Sequence, residues 1–91
     1  MRNTNINSNI TVTDMFDLAQ QSLNDVQVGE VFIVRDLFRG FEWNRVPIGT
    51  RAPLGTMFYN YYINPDKTSK TGELEDMGKT SQNQQKYKKM R

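Results

Sequence analysis

Positive charge is concentrated in the last thirteen residues of this chain, whose formal net charge is only +2. Residues 79–91 contain five Lys and Arg side chains and no acid, whereas residues 71–78 contain three acids and no base. Clustered cations can neutralise successive phosphates, so the pattern predicts nucleic acid as a partner, the alternative being a solvated, partly disordered tail. The predicted phosphate ligands are Lys79, Lys86, Lys88, Lys89 and Arg91.

Two arginines and a tyrosine cluster in the middle of the chain could extend this contact. Arg45 and Arg51 flank a predicted helix, and Arg51 falls at its N-terminus, where free N–H groups and the helix dipole attract anions. The alternatives are an ion pair between Arg45 and Glu42, and a surface position for Arg51. If exposed, Tyr59 or Tyr62 could stack on a nucleobase without selecting sequence.

Several neighbouring residues are assigned to structure instead. Arg35 and Arg39 flank Asp36 and are interpreted as structural charges. Trp43 is predicted to cover a small core. Tyr87 lies among lysines in a predicted strand, and since alternation along a strand buries one face, this tyrosine is the expected core anchor.

The side chains that most catalytic and metal sites require are absent from this sequence. With no Cys and no His, the chain lacks thiolate nucleophiles, imidazole bases and the usual ligands of structural zinc. Residues 78–81, Gly-Lys-Thr-Ser, resemble the end of a nucleotide-binding loop, but the upstream glycine spacing of that motif is missing. We therefore predict a protein that is not an enzyme and uses no cofactor or metal.

Length and composition predict one small domain. Residues 1–10 are rich in asparagine and are expected to form a flexible tail, followed by a single domain over residues 11–91. No apolar run approaches the roughly 18 to 20 residues of a membrane span, and the N-terminal residues lack an apolar leader. Together with the absence of cysteine, these features predict a soluble, cytoplasmic protein.

Hydrophobic periodicity predicts three helices and a short strand. The first helix begins with Thr11 or Thr13 as N-cap and ends near Asp25. A strand is predicted at residues 30–34, and a short helix at residues 36–39 that is closed by Gly40. The next helix starts with Thr50 as cap and a proline in its first turn, and Asn64-Pro65 ends it. Its predicted inner stripe is Leu54, Met57, Phe58 and Tyr61.

The C-terminal residues are predicted to form a hairpin, with strands at 73–77 and 84–90 around a loop at 78–83. Because lysine and glutamine favour helix, a helical tail remains the alternative. The predicted class is α+β, and the element order is that of a small winged helix-turn-helix, with three helices, a short strand and a C-terminal β-hairpin wing. Residues 51–63 would then be the recognition helix, and the two basic regions could share one face.

Four motifs together resemble a known family. They are Leu-Phe at 37–38, Glu-Trp-Asn at 42–44, Leu-Gly-x-x-Phe at 54–58 and Gly-Lys-Thr-Ser at 78–81. The sequence over about residues 28–90 resembles small proteins of Gram-positive mobile elements, best described on staphylococcal cassette chromosomes and long catalogued as a domain of unknown function. The resemblance implies a winged-helix single-stranded-DNA-binding protein that acts in replication or transfer of its element.

Two other functions remain open at this stage. A duplex-binding regulator of the same fold would insert residues 51–63 in the major groove, although Arg51 and Asn60 are the only long polar side chains there suited to reading bases. An adaptor would instead dock a helicase or polymerase of the same element through an aromatic surface.

Overall fold

The computed structural model describes residues 6 and 9–91 and has the predicted α+β class. Its elements, in chain order, are α1 (Val12–Leu23), β1 (Val31–Ile33), a 3₁₀ turn (Val34–Leu37), α2 (Gly40–Arg45), α3 (Ile48–Tyr62), β2 (Leu74–Lys79) and β3 (Gln85–Lys89). The predicted order of helix, short strand, two helices and hairpin is therefore confirmed.

The first helix follows its sequence pattern closely. The Thr11 hydroxyl accepts a hydrogen bond from the Asp14 N–H at 3.1 Å, which is the expected N-cap. One face of α1 is buried through residues spaced three and four apart, which are Met15, Leu18, Ala19 and Leu23. Local capping and apolar spacing agree here, so the prediction from sequence was accurate to within two residues.

The three strands form an antiparallel sheet in the order β1-β3-β2. Phe32 of β1 and Asp76 of β2 both pair with Tyr87 of β3, so these three residues lie on one face of the sheet. Lys86 and Lys88 alternate with Tyr87 and therefore point to the other face. The predicted hairpin and its pairing with the short strand are confirmed, and the helical alternative for the tail is wrong.

The segment between β1 and α3 differs from the prediction. The chain forms a 3₁₀ turn, capped where the Asp36 carboxylate accepts the Ile33 N–H at 3.0 Å, and then becomes extended at Phe38. Gly40 opens α2 instead of closing a helix. The physical reason is a local cap, since the Glu42 carboxylate accepts the N–H of Arg39 at 3.3 Å and holds the start of α2.

The third helix begins earlier than predicted and buries a different stripe. Pro47 precedes its first residue, so Thr50 is not the cap, and Pro53 lies inside the helix instead of in its first turn. Met57 and Tyr61, assigned to the inner stripe, are exposed at 37% and 48%. The buried residues are spaced four apart, along the ridge that packs against the rest of the domain, and are Leu54, Phe58 and Tyr62.

One core joins the helices to the inner face of the sheet. Phe58 contacts Phe16 of α1 and Tyr87 of β3, with ring centroids 6.2 and 5.1 Å apart. Ile6 is buried and Ile10 is half-buried against the same core, so the packed domain takes in these two residues of the predicted tail. The rest of that prediction, for residues 1–5 and 7–8, lies outside the described residues.

Candidate nucleic-acid interface

A groove of about 1010 Å³ lies between α3, the β2–β3 hairpin and the segment that follows β1. Four cationic side chains line it, and Asp76 is the one acid in its lining. These cations come from four separate parts of the chain and are Arg35, Arg51, Lys67 and Lys79. The tertiary structure thus builds a basic groove from residues that are dispersed in the sequence.

Arg51 is held in this groove by Trp43. Its guanidinium carbon lies 5.3 Å from the centroid of the Trp43 ring, and its Nη2 donates to the Trp43 carbonyl at 3.0 Å. Trp43 in turn packs against Phe38, with ring centroids 5.6 Å apart, and covers part of the core as predicted, although it lies in α2 and not in a turn. The turn from α2 into α3 therefore fixes a cation above an aromatic ring.

A hydrogen-bonded cluster fastens the hairpin to α3. The Tyr59 hydroxyl donates to one Asp76 oxygen at 2.8 Å, and the other oxygen accepts the Gly78 N–H at 2.8 Å and the Gln85 amide at 2.6 Å. Gly78 has φ +79, and the turn next to the pairing irregularity between Asp76 and Lys79 requires this conformation. The cluster fixes the Tyr59 ring on the groove wall.

The pKa values of this cluster reflect the same contacts. Burial alone would raise the pKa of Asp76, but the hydrogen bonds from Gly78, Tyr59 and Gln85 outweigh burial and leave that pKa lowered. The pKa of Tyr59 is raised, chiefly because its hydroxyl donates to Asp76 and to a lesser extent by burial. At neutral pH the cluster therefore contains a carboxylate and a neutral phenol.

Tyr87 lies at the floor of the groove and is fully buried, which confirms its predicted role as core anchor. Its ring stacks on Phe32 at 5.7 Å between centroids and lies 6.4 Å from Tyr59. Two buried polar atoms of the lining, the Tyr87 hydroxyl and Arg51 Nε, have no hydrogen-bond partner among the described residues. Burial is the main reason that the pKa of Tyr87 is raised.

The basic C-terminal segment does not form one surface. Lys79 lines the groove, whereas Lys86 and Lys88 project from the opposite face of the sheet. The Lys89 ammonium donates to the carbonyls of Leu23 and Val26 at 2.8 and 2.6 Å. Lys89 therefore caps the C-terminal end of α1, an arrangement that the helix dipole also favours.

Two further predicted ligands lie away from the groove. Arg45 Nη1 donates to the Ile6 carbonyl at 3.4 Å, and the suggested pair of Arg45 with Glu42 is wrong, because Arg39 pairs with Glu42 at 3.1 Å. Arg91 Nη2 donates to the Thr71 carbonyl at 2.9 Å.

The structure brings together three of the predicted contact residues, Arg51, Tyr59 and Lys79. Tyr62, the other stacking candidate, is buried in the core, so that prediction is wrong. Sequence reasoning missed two cations of the groove. Arg35 had been assigned to structure, and Lys67, in a turn with φ +71, carried no signal in the sequence.

Among the described residues there is neither a metal-ligating cluster nor a membrane-spanning helix. Within residues 6 and 9–91, no group of three or more acidic side chains is placed to hold a metal ion. None of the helices in the part of the chain that the structure describes is long and apolar enough to cross a membrane.

Comparison with known proteins gives one match. No curated protein and no solved structure matches this chain. The model of a family described as a domain of unknown function (DUF1413) matches residues 17–89, which include α3, the sheet and every residue lining the groove. On the strength of this match the chain belongs to the DUF1413 family.

Proposed function

We propose that this protein is a non-catalytic, winged-helix protein that binds single-stranded DNA in the groove between α3 and the β2–β3 hairpin. In this proposal α3 is the recognition helix and the hairpin is the wing. The observation that carries the proposal is the groove lining, in which four cations and one acid surround aromatic side chains. Single-stranded DNA can use both the cations and the aromatic rings, since its phosphates are anionic and its unpaired bases have open π-faces.

The groove lining offers both kinds of contact. Arg35, Lys67 and Lys79 form no salt bridge within the part of the chain that the structure describes, so their charges are available to phosphates. Lys67 also lies close enough to Asp76 to help lower the pKa of that carboxyl. Tyr59 and Trp43 offer rings along the wall. Neutral amides of the lining, from Asn60, Asn83 and Gln84, can bond to either backbone or base.

The outer side of α3 argues against reading a duplex. Its exposed residues are mostly small or apolar, whereas direct readout in the major groove needs Arg, Lys, Asn or Gln at the base edges. The exposed residues there that line a shallow surface patch are Ala52, Pro53, Thr56, Met57, Asn60 and Tyr61. Binding of single-stranded DNA in the groove therefore suits the available side chains better than binding of a duplex on α3.

The test is fluorescence anisotropy with a labelled single strand of about 16 nucleotides and the matching duplex. We expect tighter binding of the single strand and a steep dependence on salt. Tyr59→Leu should weaken binding about 5- to 160-fold if its ring stacks on a base. The matched control is Tyr61→Leu, which removes an exposed ring of the same helix outside the groove. Preference for the duplex would contradict the proposal.

The cellular role in this proposal is replication or transfer of a mobile element in the cytoplasm, and it rests on the resemblance of the four motifs. A second candidate is an adaptor that docks a helicase or polymerase. The exposed apolar side chains of Met57 and Tyr61 favour it. Absence of binding to both DNA forms would leave the adaptor as the function to test, by binding of the purified replication enzymes.

A further inference from the structure

The floor of the groove contains two buried polar atoms that the fold does not use. The Tyr87 hydroxyl and Arg51 Nε lack hydrogen-bond partners among residues 6 and 9–91, and both residues line the groove. Buried hydroxyls and guanidinium N–H groups are nearly always hydrogen-bonded in folded proteins. Phenylalanine would provide the same ring contacts with Phe32 and Phe58 without burying an unpaired hydroxyl, so packing does not explain why position 87 is a tyrosine.

The chemistry of these atoms limits what they can bind. Arg51 Nε can only donate a hydrogen bond, and the Tyr87 hydroxyl can donate one. The two atoms therefore suit ligand oxygens that accept. Asp76 pairs with Tyr87 across the sheet and carries a negative charge, which disfavours a phosphate oxygen at this position and favours an uncharged carbonyl oxygen.

The surroundings suit a planar, neutral group. The Tyr59 ring supplies aromatic surface at the wall, and the cations Lys67 and Lys79 lie in the same lining for the phosphates on either side. One face of the Arg51 guanidinium lies over the Trp43 ring, so its other face adds to the surface on which a base can stack.

We infer that the floor of the groove is a nucleobase subsite, in which the Tyr87 hydroxyl and Arg51 Nε donate hydrogen bonds to carbonyl oxygens of an unstacked base. This inference rests on the proposed binding of single-stranded DNA and deepens it. Thymine carries two carbonyl oxygens that project beyond its ring and only accept, whereas the acceptors of adenine are ring nitrogens and its exocyclic amino group is a donor that Arg51 Nε cannot accept. The subsite therefore gives the protein a preference for thymine-rich strands over adenine strands.

The test is Tyr87→Phe, which removes one oxygen atom and leaves the ring. Anisotropy is measured on oligo-dT, oligo-dA and an abasic strand of the same length, with Tyr61→Phe as the matched control because it removes an exposed hydroxyl outside the groove. We expect Tyr87→Phe to melt at the same or a higher temperature than the wild type. Its binding of oligo-dT should weaken about 3- to 10-fold, while binding of oligo-dA and the abasic strand stays unchanged.

Three results would overturn the inference. An equal loss on all strands would assign the hydroxyl to a phosphate, no loss on any strand would leave it without a role, and equal wild-type affinities for oligo-dT and oligo-dA would exclude the preference. Arg51→Lys provides a second variant, since it keeps the charge and removes the Nε–H. It should lower the ratio of oligo-dT to oligo-dA affinity without changing the salt slope. A wild type that binds none of the strands would instead refute the proposed function.

Discussion

The division of the basic residues between two faces of the sheet can be tested by a charge-matched pair of double variants. Lys67→Gln with Lys79→Gln removes two cations from the groove, and Lys86→Gln with Lys88→Gln removes two cations from the opposite face. Each pair lowers the formal net charge from +2 by the same amount. A difference in DNA binding between the two double variants therefore reflects the location of the removed cations and not the total charge.

The expected magnitude follows from the number of cations in the groove. If all four neutralise phosphates, the slope of log K against log salt for a single strand is about −2.8, from about −0.7 per contact. Between about 50 and 200 mM salt the wild type should then lose roughly 50-fold in affinity. The groove variant keeps two contacts, so its slope should be about −1.4 and its loss over the same range roughly 7-fold.

The assay is anisotropy on one mixed-sequence single strand, titrated at four or more salt concentrations for the wild type and both variants. Circular dichroism and thermal melting confirm that each variant is folded. The variant of the opposite face should keep the wild-type slope. The reasoning is refuted if that variant flattens the salt slope as much as the groove variant does, because the DNA would then follow the opposite face of the sheet.

Three further predictions concern stability. Lys89→Met removes the ammonium donor from the carbonyls of Leu23 and Val26, of which Leu23 keeps the Val26 N–H, and should lower the free energy of unfolding by about 2 kcal/mol in urea denaturation, whereas Lys88→Met should change it little; equal effects would contradict the capping role. Pro53→Ala restores an N–H inside α3 and should raise the melting temperature, by about 4 to 8 °C for each kcal/mol gained; a lower melting temperature would show that proline's restriction of the unfolded chain dominates. Asp76 has a lowered pKa in the folded state, so its contribution to stability is present above its unfolded pKa of about 3.9 and is lost as pH falls through the folded value. Asp76→Asn should therefore lose less stability than the wild type during acid titration below about pH 4, and equally steep acid unfolding of the two proteins would contradict this.

Sequence reasoning succeeded where short-range interactions decide the structure. The α1 helix has a threonine cap and apolar residues three and four apart, and both signals act within the helix itself. The hairpin is a different case, since its last strand forms although lysine and glutamine favour helix, because Tyr87 pairs with Phe32 and Asp76 inside a sheet. That outcome depends on tertiary packing, which propensity does not include.

Sequence reasoning failed at α2 and α3 for two different reasons. Gly40 was expected to end a helix but opens one, because the local Arg39–Glu42 cap, which the sequence analysis overlooked, starts α2 there. Tyr61 and Tyr62 are adjacent and chemically equal, and the direction of the packed ridge of α3 decides that Tyr62 is buried and Tyr61 is exposed. Such a choice requires the position of the neighbouring elements.

The sequence by itself determined the α+β class, the order of the elements, and the absence of cysteine and histidine chemistry. It also placed an excess of cations in the last thirteen residues. Only the tertiary structure decided where those cations point. Strand alternation sends Lys86 and Lys88 to one face of the sheet, α1 takes Lys89 as its cap, and folding brings Arg35, Lys67 and Lys79 into one groove. The physical reason is that charge along a chain is a local property, whereas a binding surface is a set of side chains brought together by packing.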